Sequence, residues 1–245
     1  MFFKTEGEGN GIQQATAETL RGEWTPEGRY LQQTKEAVEG SAVFKLIGSD
    51  EWILMYDCYM AGYYQFCKSK DLKNFDVKSI SVPENRNMVL FPEKINGKYV
   101  RLERPMPVYS RGRDRFDMWM SESPDMIYWG NSKLIAAVED FNYTDDKVGP
   151  GAPPVKTEKG WLEIFHGVQN CFSSWRYSIG AALLDLENPE KVIGVMKSYL
   201  LTPEAEYEFH GVVPDTVFTT ALVKSSNHFN TVELLAVEHG RDTLF

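Results

Sequence analysis

Residues 85–105, NRNMVLFPEKINGKYVRLERP, predict a β-hairpin, and this hairpin is the starting point for predicting the fold. An apolar segment and an alternating segment flank the pair Asn96-Gly97, which is a strong signal for a two-residue turn. Arg86 precedes the first predicted strand, and Arg104 follows the second. Because a tight turn brings the outer ends of antiparallel strands together, the two guanidinium groups suit an anion clamp as well as a solvated surface pair.

The composition favours a β-rich enzyme-sized domain. The chain has 245 residues, of which 42% are apolar and 13% are aromatic, and aromatic side chains of this abundance are common where sugars are stacked. A net charge of -9 without a Lys or Arg block argues against nucleic-acid binding, and no apolar run is long enough for a membrane span. The start of the chain does not have a signal-peptide pattern, and three cysteines without a CxxC pair indicate a reducing, cytoplasmic setting.

Short β-type runs separated by Gly, Pro, Asn and Asp fill most of the chain and predict an all-β fold. Only residues 13–20 suggest a short helical turn. Three segments share a polar turn, an apolar residue and then an aromatic residue, at Trp24, Phe75 and Trp129. Their spacing of roughly fifty residues is the size of a propeller blade, so we predict one β-propeller domain over residues 1–245, with about four blades.

Polar residues recur at two equivalent positions of three successive repeat units. Trp52, Tyr99 and Trp161 each open a strand after a turn, and a polar residue follows each of them five positions later. A charged residue also precedes each aromatic by thirteen or fourteen positions. Because equivalent strand ends of propeller blades meet around one channel, the spacing predicts a ring of six side chains: Glu39, Asp57, Arg86, Arg104, Lys147 and His166.

The ring contains four groups that can carry positive charge: Arg86, Arg104, Lys147 and His166. Such a set suits a dianion such as phosphate, and Glu39 is a candidate general acid for a glycosidic oxygen. A usual glycosidase needs two carboxylates, whereas phosphorolysis needs one because phosphate is the nucleophile. The excess of cations favours phosphorolysis, and Asp57 is either a second catalytic carboxylate or an ion-pair partner of an arginine. The four histidines show no metal-site spacing, so we expect no metal and no cofactor beyond inorganic phosphate as co-substrate.

From about residue 86 to about residue 213 the chain resembles glycoside hydrolase family 130, the β-mannoside phosphorylases and related mannosidases. The matching segments are residues 87–99, 104–105, 147–149, 153–162, 166–168 and 181–186, with Tyr177. The resemblance implies a five-bladed propeller that transfers a mannosyl unit from a β-mannoside to phosphate. It also implies a sugar-contacting position at Asn87 and phosphate-binding positions at Arg86, Arg104, Lys147, His166 and Tyr177.

Residues 1–80 look more like glycoside hydrolase family 43, a five-bladed family of xylosidases and arabinofuranosidases. The segments that carry this likeness are residues 39–40, 43–46, 52–57 and 69–75. In that family a Glu-Gly-Pro motif holds the general acid, which implies this role for Glu39. Family 130 has Glu-Asp-Pro with the Asp as proton donor, and Gly40 takes that place here. The chain thus resembles a splice near residues 79–85, with residues 81–245 as the family-130-like part, and we expect an absent opening blade and a short closing blade.

Three functions follow from these patterns. The first is phosphorolysis of β-mannosides to mannose 1-phosphate. The second is a family-43-like hydrolase of the xylosidase or arabinofuranosidase type, with Glu39 as general acid. The third is a recombined propeller that only binds sugar or phosphate. We expect an oligosaccharide and phosphate as partners, neither nucleic acid nor membrane, and a homo-oligomer if an open blade edge pairs between copies.

Overall fold

The computed structural model describes residues 2–5, 11–19, 22–33, 38–58, 62–106, 115–210, 213–224 and 232–236. The regular secondary structure of this described part is antiparallel β-strand, apart from one short 3-10 helix at Glu206–Phe209. The all-β prediction is therefore confirmed. The chain divides into two compact units, Met1–Arg86 and Asn87–Arg241. The prediction of a single propeller domain over residues 1–245 stays a prediction.

The first unit contains a three-stranded sheet and a four-stranded sheet, each with its strands in sequence order. The three-stranded sheet consists of β1 (Phe2–Thr5), β2 (Gly11–Thr16) and β3 (Thr25–Gln33). The four-stranded sheet consists of β4 (Val38–Lys45), β5 (Trp52–Cys58), β6 (Tyr63–Ser69) and β7 (Asp76–Ile80). The helical turn predicted at residues 13–20 is wrong, because residues 13–16 belong to β2, which pairs with β1 and β3 and contains the buried Ala15.

The core of the four-stranded sheet contains two cysteines that form no disulfide. Cys58 and Cys67 are both buried. They lie on the neighbouring strands β5 and β6, but the register places Cys58 opposite Tyr63 and Cys67 opposite Leu54. Burial raises the pKa of the Cys67 thiol to about 11, so this side chain stays protonated and packs as a small apolar group.

The second unit is built from three sheets among the described residues, and the first of them begins with a strand that crosses the unit boundary. That sheet contains β8 (Asn85–Leu90), β9 (Tyr99–Pro105), β10 (Met118–Ser123) and β11 (Gly130–Ala136). The next contains β12 (Lys147–Pro150), β14 (Gly160–Asn170), β15 (Trp175–Leu184) and β16 (Val192–Val195), with β13 (Val155–Thr157) paired to β14. The last is formed by β17 (Thr219–Lys224) and β18 (Val232–Ala236).

The hairpin predicted from residues 85–105 is confirmed. Strands β8 and β9 are neighbours in one sheet, and Ile95 and Lys98 form a β-bridge across the turn between them. Asn96 and Gly97 adopt φ values of 51° and 79°. Two successive residues in the left-handed region suit the right-handed twist of a hairpin, which is why an Asn-Gly pair predicts this turn well.

The repeat that predicted blades corresponds to equivalent turns between the third and fourth strands of two sheets. In the first, Ser69 Oγ donates to Asp71 Oδ1 over 3.0 Å, and this oxygen accepts two backbone N–H groups at 2.8 and 2.9 Å. In the second, Ser123 Oγ donates to Asp125 Oδ1 over 3.1 Å, and two backbone N–H groups follow at 2.8 and 3.0 Å. The shared Ser-x-Asp pattern therefore reflects one local hydrogen-bonding scheme used twice.

The aromatic residues Trp52, Tyr99 and Trp161 begin, or nearly begin, the second strand of three successive sheets, namely β5, β9 and β14. The second strands also carry the residues five positions later: Asp57, Arg104 and His166. The first strands carry the other predicted ring residues: Glu39, Arg86 and Lys147. The predicted equivalence of these positions within their own sheets is confirmed. In the described part of the chain, no helix has the length and apolar character that crossing a bilayer requires.

Candidate functional site: a buried cationic cluster

The candidate site in the second unit centres on a direct contact between Arg104 of β9 and His166 of β14. Arg104 Nη1 lies 2.8 Å from His166 Nε2, and both side chains are buried. A guanidinium group can only donate, so Nε2 is the acceptor and the imidazole proton resides on Nδ1. The contact thus fixes His166 as the neutral tautomer with its Nε2 lone pair occupied by Arg104.

The electrostatic surroundings of His166 also favour the neutral ring. Burial lowers the pKa of His166 well below its ordinary value, and the charges of Arg104 and Lys147 lower it further. The backbone of Pro150 opposes this shift. A histidine whose pKa is depressed by two nearby cations lies in a positive field, and a bound anion would offset that field.

Gly149 provides the space in which the Arg104–His166 contact forms. It lies opposite His166 in the register of β12 and β14. A Cβ atom at Gly149 would lie 2.8 Å from His166 Cε1 and 3.2 Å from Arg104 Cδ. Since real Cβ atoms do not approach other atoms so closely, any side chain at this position displaces one or both members of the contact.

Lys147 contributes a second buried cation at the start of β12. Its Nζ lies 2.5 Å from Asp146 Oδ2 and 4.4 Å from the centre of the Trp175 ring. The ion pair and the aromatic face hold the ammonium group in a partly apolar environment. Asp146 and Trp175 were not predicted as site residues, although Asp146 adjoins Lys147 directly in the sequence.

Aromatic rings surround the imidazole of His166. Tyr177 stacks on it with ring centres 6.0 Å apart and an interplanar angle of 28°, and Phe218 lies at 4.5 Å. Tyr177 was predicted for this site, whereas Phe218 was missed because no motif marks it. Apolar rings around charged groups lower the local dielectric constant and strengthen electrostatic contacts with a ligand.

Arg86 and Asn87 lie on β8, on either side of the boundary between the two units. Arg86 Nη2 is 3.7 Å from the half-exposed carboxylate of Glu84 in the first unit. Asn87 adopts a left-handed φ of 51°, and its Oδ1 is buried without a hydrogen-bond partner among the described residues. A left-handed asparagine with a buried carbonyl oxygen is a reasonable candidate for the predicted sugar contact.

The predicted placement of the two arginines outside the strands is wrong. Arg86 and Arg104 lie inside β8 and β9, because the strand pairing continues beyond the apolar segments from which the strands were predicted. Glu103, the acid next to Arg104, forms a buried ion pair with Arg101, with Glu103 Oε2 2.7 Å from Arg101 Nη2. Ser121 and Trp129 complete the surroundings of Arg101.

The two predicted catalytic carboxylates belong to the first unit. Asp57 is buried on β5, and Glu39 lies opposite it in the register of β4 and β5. The side chain of Glu39 lies outside the described residues. The structure therefore brings together Arg104, Lys147, His166 and Tyr177, and the complete six-membered ring stays a prediction. Among the described residues, no group of three His, Cys, Asp or Glu side chains is arranged to hold a metal ion.

Successive antiparallel sheets with their strands in sequence order are typical of β-propellers. The chain belongs to glycoside hydrolase family 130, because residues 59–232 match the family described as β-1,4-mannooligosaccharide phosphorylase. Residues 1–92 match a family-43-related family described as a probable glycosyl hydrolase domain. Both resemblances predicted from the sequence are confirmed.

Curated relatives carry phosphorylase names. A β-1,2-mannobiose phosphorylase of Listeria innocua is 37% identical over 160 residues, which cover 65% of this chain and 43% of the relative. A β-1,4-mannooligosaccharide phosphorylase of Ruminococcus albus is 40% identical over 153 residues, which cover 62% of this chain and 44% of the relative. The chain therefore matches about half of the length of these relatives, or less.

Solved structures confirm the fold class. The Listeria innocua β-1,2-mannobiose phosphorylase, solved with β-1,2-mannobiose, superposes with a TM-score of 0.79 at 30% identity and covers 93% of this chain and 63% of that one. A thermostable family-43 glycoside hydrolase gives a TM-score of 0.63 at 14% identity, covering 91% of this chain and 78% of that one, which supports the fold alone. The predicted all-β propeller of the glycosidase type is confirmed, and the count of about four blades stays a prediction.

The depressed pKa of His166 predicts a loss of stability in acid. Because the folded-state pKa lies below the unfolded value of 6.5, the stabilisation is complete above pH 6.5 and is lost as the pH falls towards the folded-state pKa. At pH 5.5 the loss of stability relative to pH 7.5 should be greater in the wild type than in His166→Gln. Denaturant titrations at both pH values measure it, and equal losses in the two proteins would contradict the assignment of a buried neutral histidine.

Proposed function

We propose that the chain is the mannosyl-transferring part of a β-mannoside phosphorylase, which uses inorganic phosphate to release mannose 1-phosphate. The single observation that supports this most strongly is the buried contact of Arg104 with His166 in the field of Lys147. The phosphorylase names of relatives at 37% and 40% identity support the same reaction. Because the match spans less than half of the length of those relatives, both the activity and the substrate are proposals for this chain.

The cluster has the chemistry that a phosphate dianion requires. Arg104 supplies planar N–H donors, Lys147 supplies a compact positive charge, and the hydroxyl of Tyr177 lies on the ring that stacks on His166. The partial burial of these groups strengthens their attraction for an anion relative to the same groups in water. We assign phosphate binding to Arg86, Arg104, Lys147, His166 and Tyr177.

The proposed reaction needs one proton donor. A phosphate oxygen attacks the anomeric carbon of the mannosyl unit, a new C–O bond to phosphate forms, and the glycosidic C–O bond breaks. Glu39 donates a proton to the departing sugar oxygen, and the phosphate needs no separate base because it is the nucleophile. Asn87 is assigned to a sugar contact on the strength of the family resemblance and its left-handed, buried position.

A hydrolase is the second candidate function, and one observation favours it. Residues 1–92 match a glycosyl hydrolase domain, and Glu39 and Asp57 lie directly opposite each other on two paired strands. Paired carboxylates are the usual equipment of hydrolysis, with Glu39 as acid and Asp57 as the second carboxylate. A protein that only binds sugar or phosphate is the third candidate.

Product analysis separates the three functions. The purified chain is incubated with β-1,2-mannobiose or β-1,4-mannobiose, with and without inorganic phosphate, and mannose 1-phosphate and free mannose are quantified. We expect mannose 1-phosphate only when phosphate is present, and its loss in Glu39→Gln. Free mannose at equal rates with and without phosphate would support the hydrolase, and phosphate binding without turnover would support the binding protein.

Three smaller assignments accompany this proposal. The three cysteines form no disulfide, which fits a reducing compartment, so we assign the protein to the cytoplasm. Inorganic phosphate is the co-substrate, and no other cofactor enters the proposed reaction. Pairing of an open sheet edge would give a homo-oligomer, which light scattering of the purified chain tests.

A further inference from the structure

We propose that Glu163 is a positioning residue that acts as a neutral carboxylic acid and fixes the Gly149–Gly151 backbone behind the Arg104–His166 contact. The inference deepens the proposed function, because it concerns the same phosphate site. Glu163 is distinct from the two predicted catalytic residues, Glu39 and Asp57, and no sequence pattern marked it. A chain of contacts within the second unit runs from Glu163 through Gly151 and Gly149 to His166.

The first link is the hydrogen bond made by Glu163. This side chain lies on β14 and is fully buried. Its Oε1 accepts the backbone N–H of Gly151 over 3.1 Å. Its Oε2 is also buried and has no hydrogen-bond partner among the described residues. The carboxyl group thus makes a single hydrogen bond, to the backbone. Acidic side chains are rarely fully buried, and those that are buried are usually hydrogen-bonded.

The second link is the tight fit of Gly151. A Cβ atom on Gly151 would lie 2.5 Å from the carbonyl oxygen of Ile164 and 3.0 Å from that of Thr219. Gly151 therefore lies between β14 and β17 with no room for a side chain. The Glu163 hydrogen bond is directed at this same residue, so it holds the end of β12 against two neighbouring strands.

The third link connects Gly151 to the cationic cluster. Gly149 lies two residues earlier, and a Cβ atom there would lie within 2.9 Å of His166 Nε2 and 3.2 Å of Arg104 Cδ. Extended backbone advances about 3.3 Å per residue, so only about 7 Å of chain separates Gly151 from Gly149, and we expect a displacement at Gly151 to shift Gly149 as well. The Glu163 hydrogen bond therefore fixes the position of the Gly149 backbone, which packs against His166 and Arg104.

The charge state of Glu163 completes the argument. Burial raises the pKa of its carboxyl well above the ordinary value, and the hydrogen bond from Gly151 only partly opposes this. Burial therefore favours the protonated, neutral form of the carboxyl. A neutral acid can hold the backbone without adding negative charge beside a site that must attract an anion.

The test compares Glu163→Gln with Glu163→Leu, and uses exposed Glu158→Leu as the matched control. Inorganic phosphate is titrated calorimetrically into each full-length protein at pH 7. We expect the phosphate Kd of Glu163→Gln and Glu158→Leu to stay within about twofold of the wild type, and that of Glu163→Leu to rise about tenfold or more. A Gln variant as defective as the Leu variant would show that the ionised carboxylate is needed, and unchanged binding in Glu163→Leu would show that the anchor does not matter.

A second measurement keeps the test independent of phosphate binding. The imidazole resonances of His166 are followed by NMR against pH in phosphate-free buffer. We expect the His166 pKa of Glu163→Gln to match the wild type, and that of Glu163→Leu to move towards 6.5 as the contact with Arg104 loosens. Equal His166 titrations in all three proteins would overturn the positioning role. A shift in the Leu variant alongside a wild type that does not bind phosphate would retain the positioning role and reject the proposed function.

If Glu163→Leu does not fold, the pH dependence of phosphate binding in Glu163→Gln still tests the proposal. As the pH rises through the raised pKa of Glu163, the phosphate affinity of the wild type should fall more steeply than that of Glu163→Gln. Parallel pH profiles of the two proteins would overturn the assignment of a neutral acid.

Discussion

Replacing Arg104 with alanine should lower kcat/KM for phosphate by about 100-fold or more. Hydrogen bonds to charged groups each contribute about 1.5–3 kcal/mol, and about 1.4 kcal/mol corresponds to a factor of ten. The substitution removes the donor that lies 2.8 Å from His166 Nε2 together with one of the two positive charges that lower the His166 pKa. Initial rates of mannose 1-phosphate formation at increasing phosphate concentrations measure the effect.

Lys133→Ala is the control for a general loss of positive charge. Lys133 is half-exposed on β11 and lies 3.5 Å from Glu190, so its removal changes the net charge by the same amount away from the cluster. We expect rates within about twofold of the wild type for this variant. If Arg104→Ala behaved like Lys133→Ala, Arg104 would have no part in phosphate binding, and the proposed site would be wrong.

Adding one methyl group at Gly149 should be nearly as damaging as removing Arg104. The new Cβ would lie 2.8 Å from His166 Cε1 and 2.9 Å from His166 Nε2, so the imidazole must move away from Arg104. Overpacking of a buried position costs about 1–3 kcal/mol, part of which appears as lower stability and part as weaker ligand binding. We expect Gly149→Ala to raise the KM for phosphate at least tenfold and to lower the Tm.

Gly194→Ala is the matched control for the Gly149 variant. Gly194 also lies on a strand of the same sheet, and no atom lies within 4 Å of the Cβ that its replacement would add. The same Gly-to-Ala change should therefore leave both KM and Tm close to wild type. Wild-type kinetics in Gly149→Ala would show that the cluster tolerates displacement of His166 and would weaken the structural argument for phosphate binding.

The features that could be predicted from the sequence are those written in short local patterns. The Asn96-Gly97 pair predicts its hairpin because few residues tolerate two successive left-handed φ values. The Ser-x-Asp turns at Asp71 and Asp125 recur because one carboxylate accepts the nearby backbone N–H groups in each. Such patterns require only neighbours in the chain, so one sequence suffices to find them.

The features that were missed depend on contacts between residues distant in the chain. Residues 13–20 lack a clear alternation, and only their pairing with strands on both sides makes the first part a strand. Phe218 reaches His166 from about fifty residues further along the chain, with no motif to mark it. Glu163 looks like a solvent-facing acid on a strand, and its burial shows only when Gly151 is placed beside it.

The part of the site that could be predicted is the part that depends on the repeat of equivalent strands. Arg104 and His166 were linked by spacing alone, and they are in direct contact because β9 and β14 are second strands of successive sheets. The same spacing could not reveal that Asp146 forms an ion pair with Lys147 or that Glu103 forms one with Arg101. Which charge pairs with which depends on side-chain geometry, and no repeat in the sequence specifies it.

Calorimetric titration of inorganic phosphate into the purified chain tests the central claim most directly. The account predicts saturable binding at one site per chain, abolished in Arg104→Ala and unchanged in Lys133→Ala. The absence of saturable binding at phosphate concentrations up to about 10 mM, where a Kd in the millimolar range is readily detected, would contradict it. In that case Arg104, Lys147 and His166 would form a buried structural cluster rather than a phosphate site.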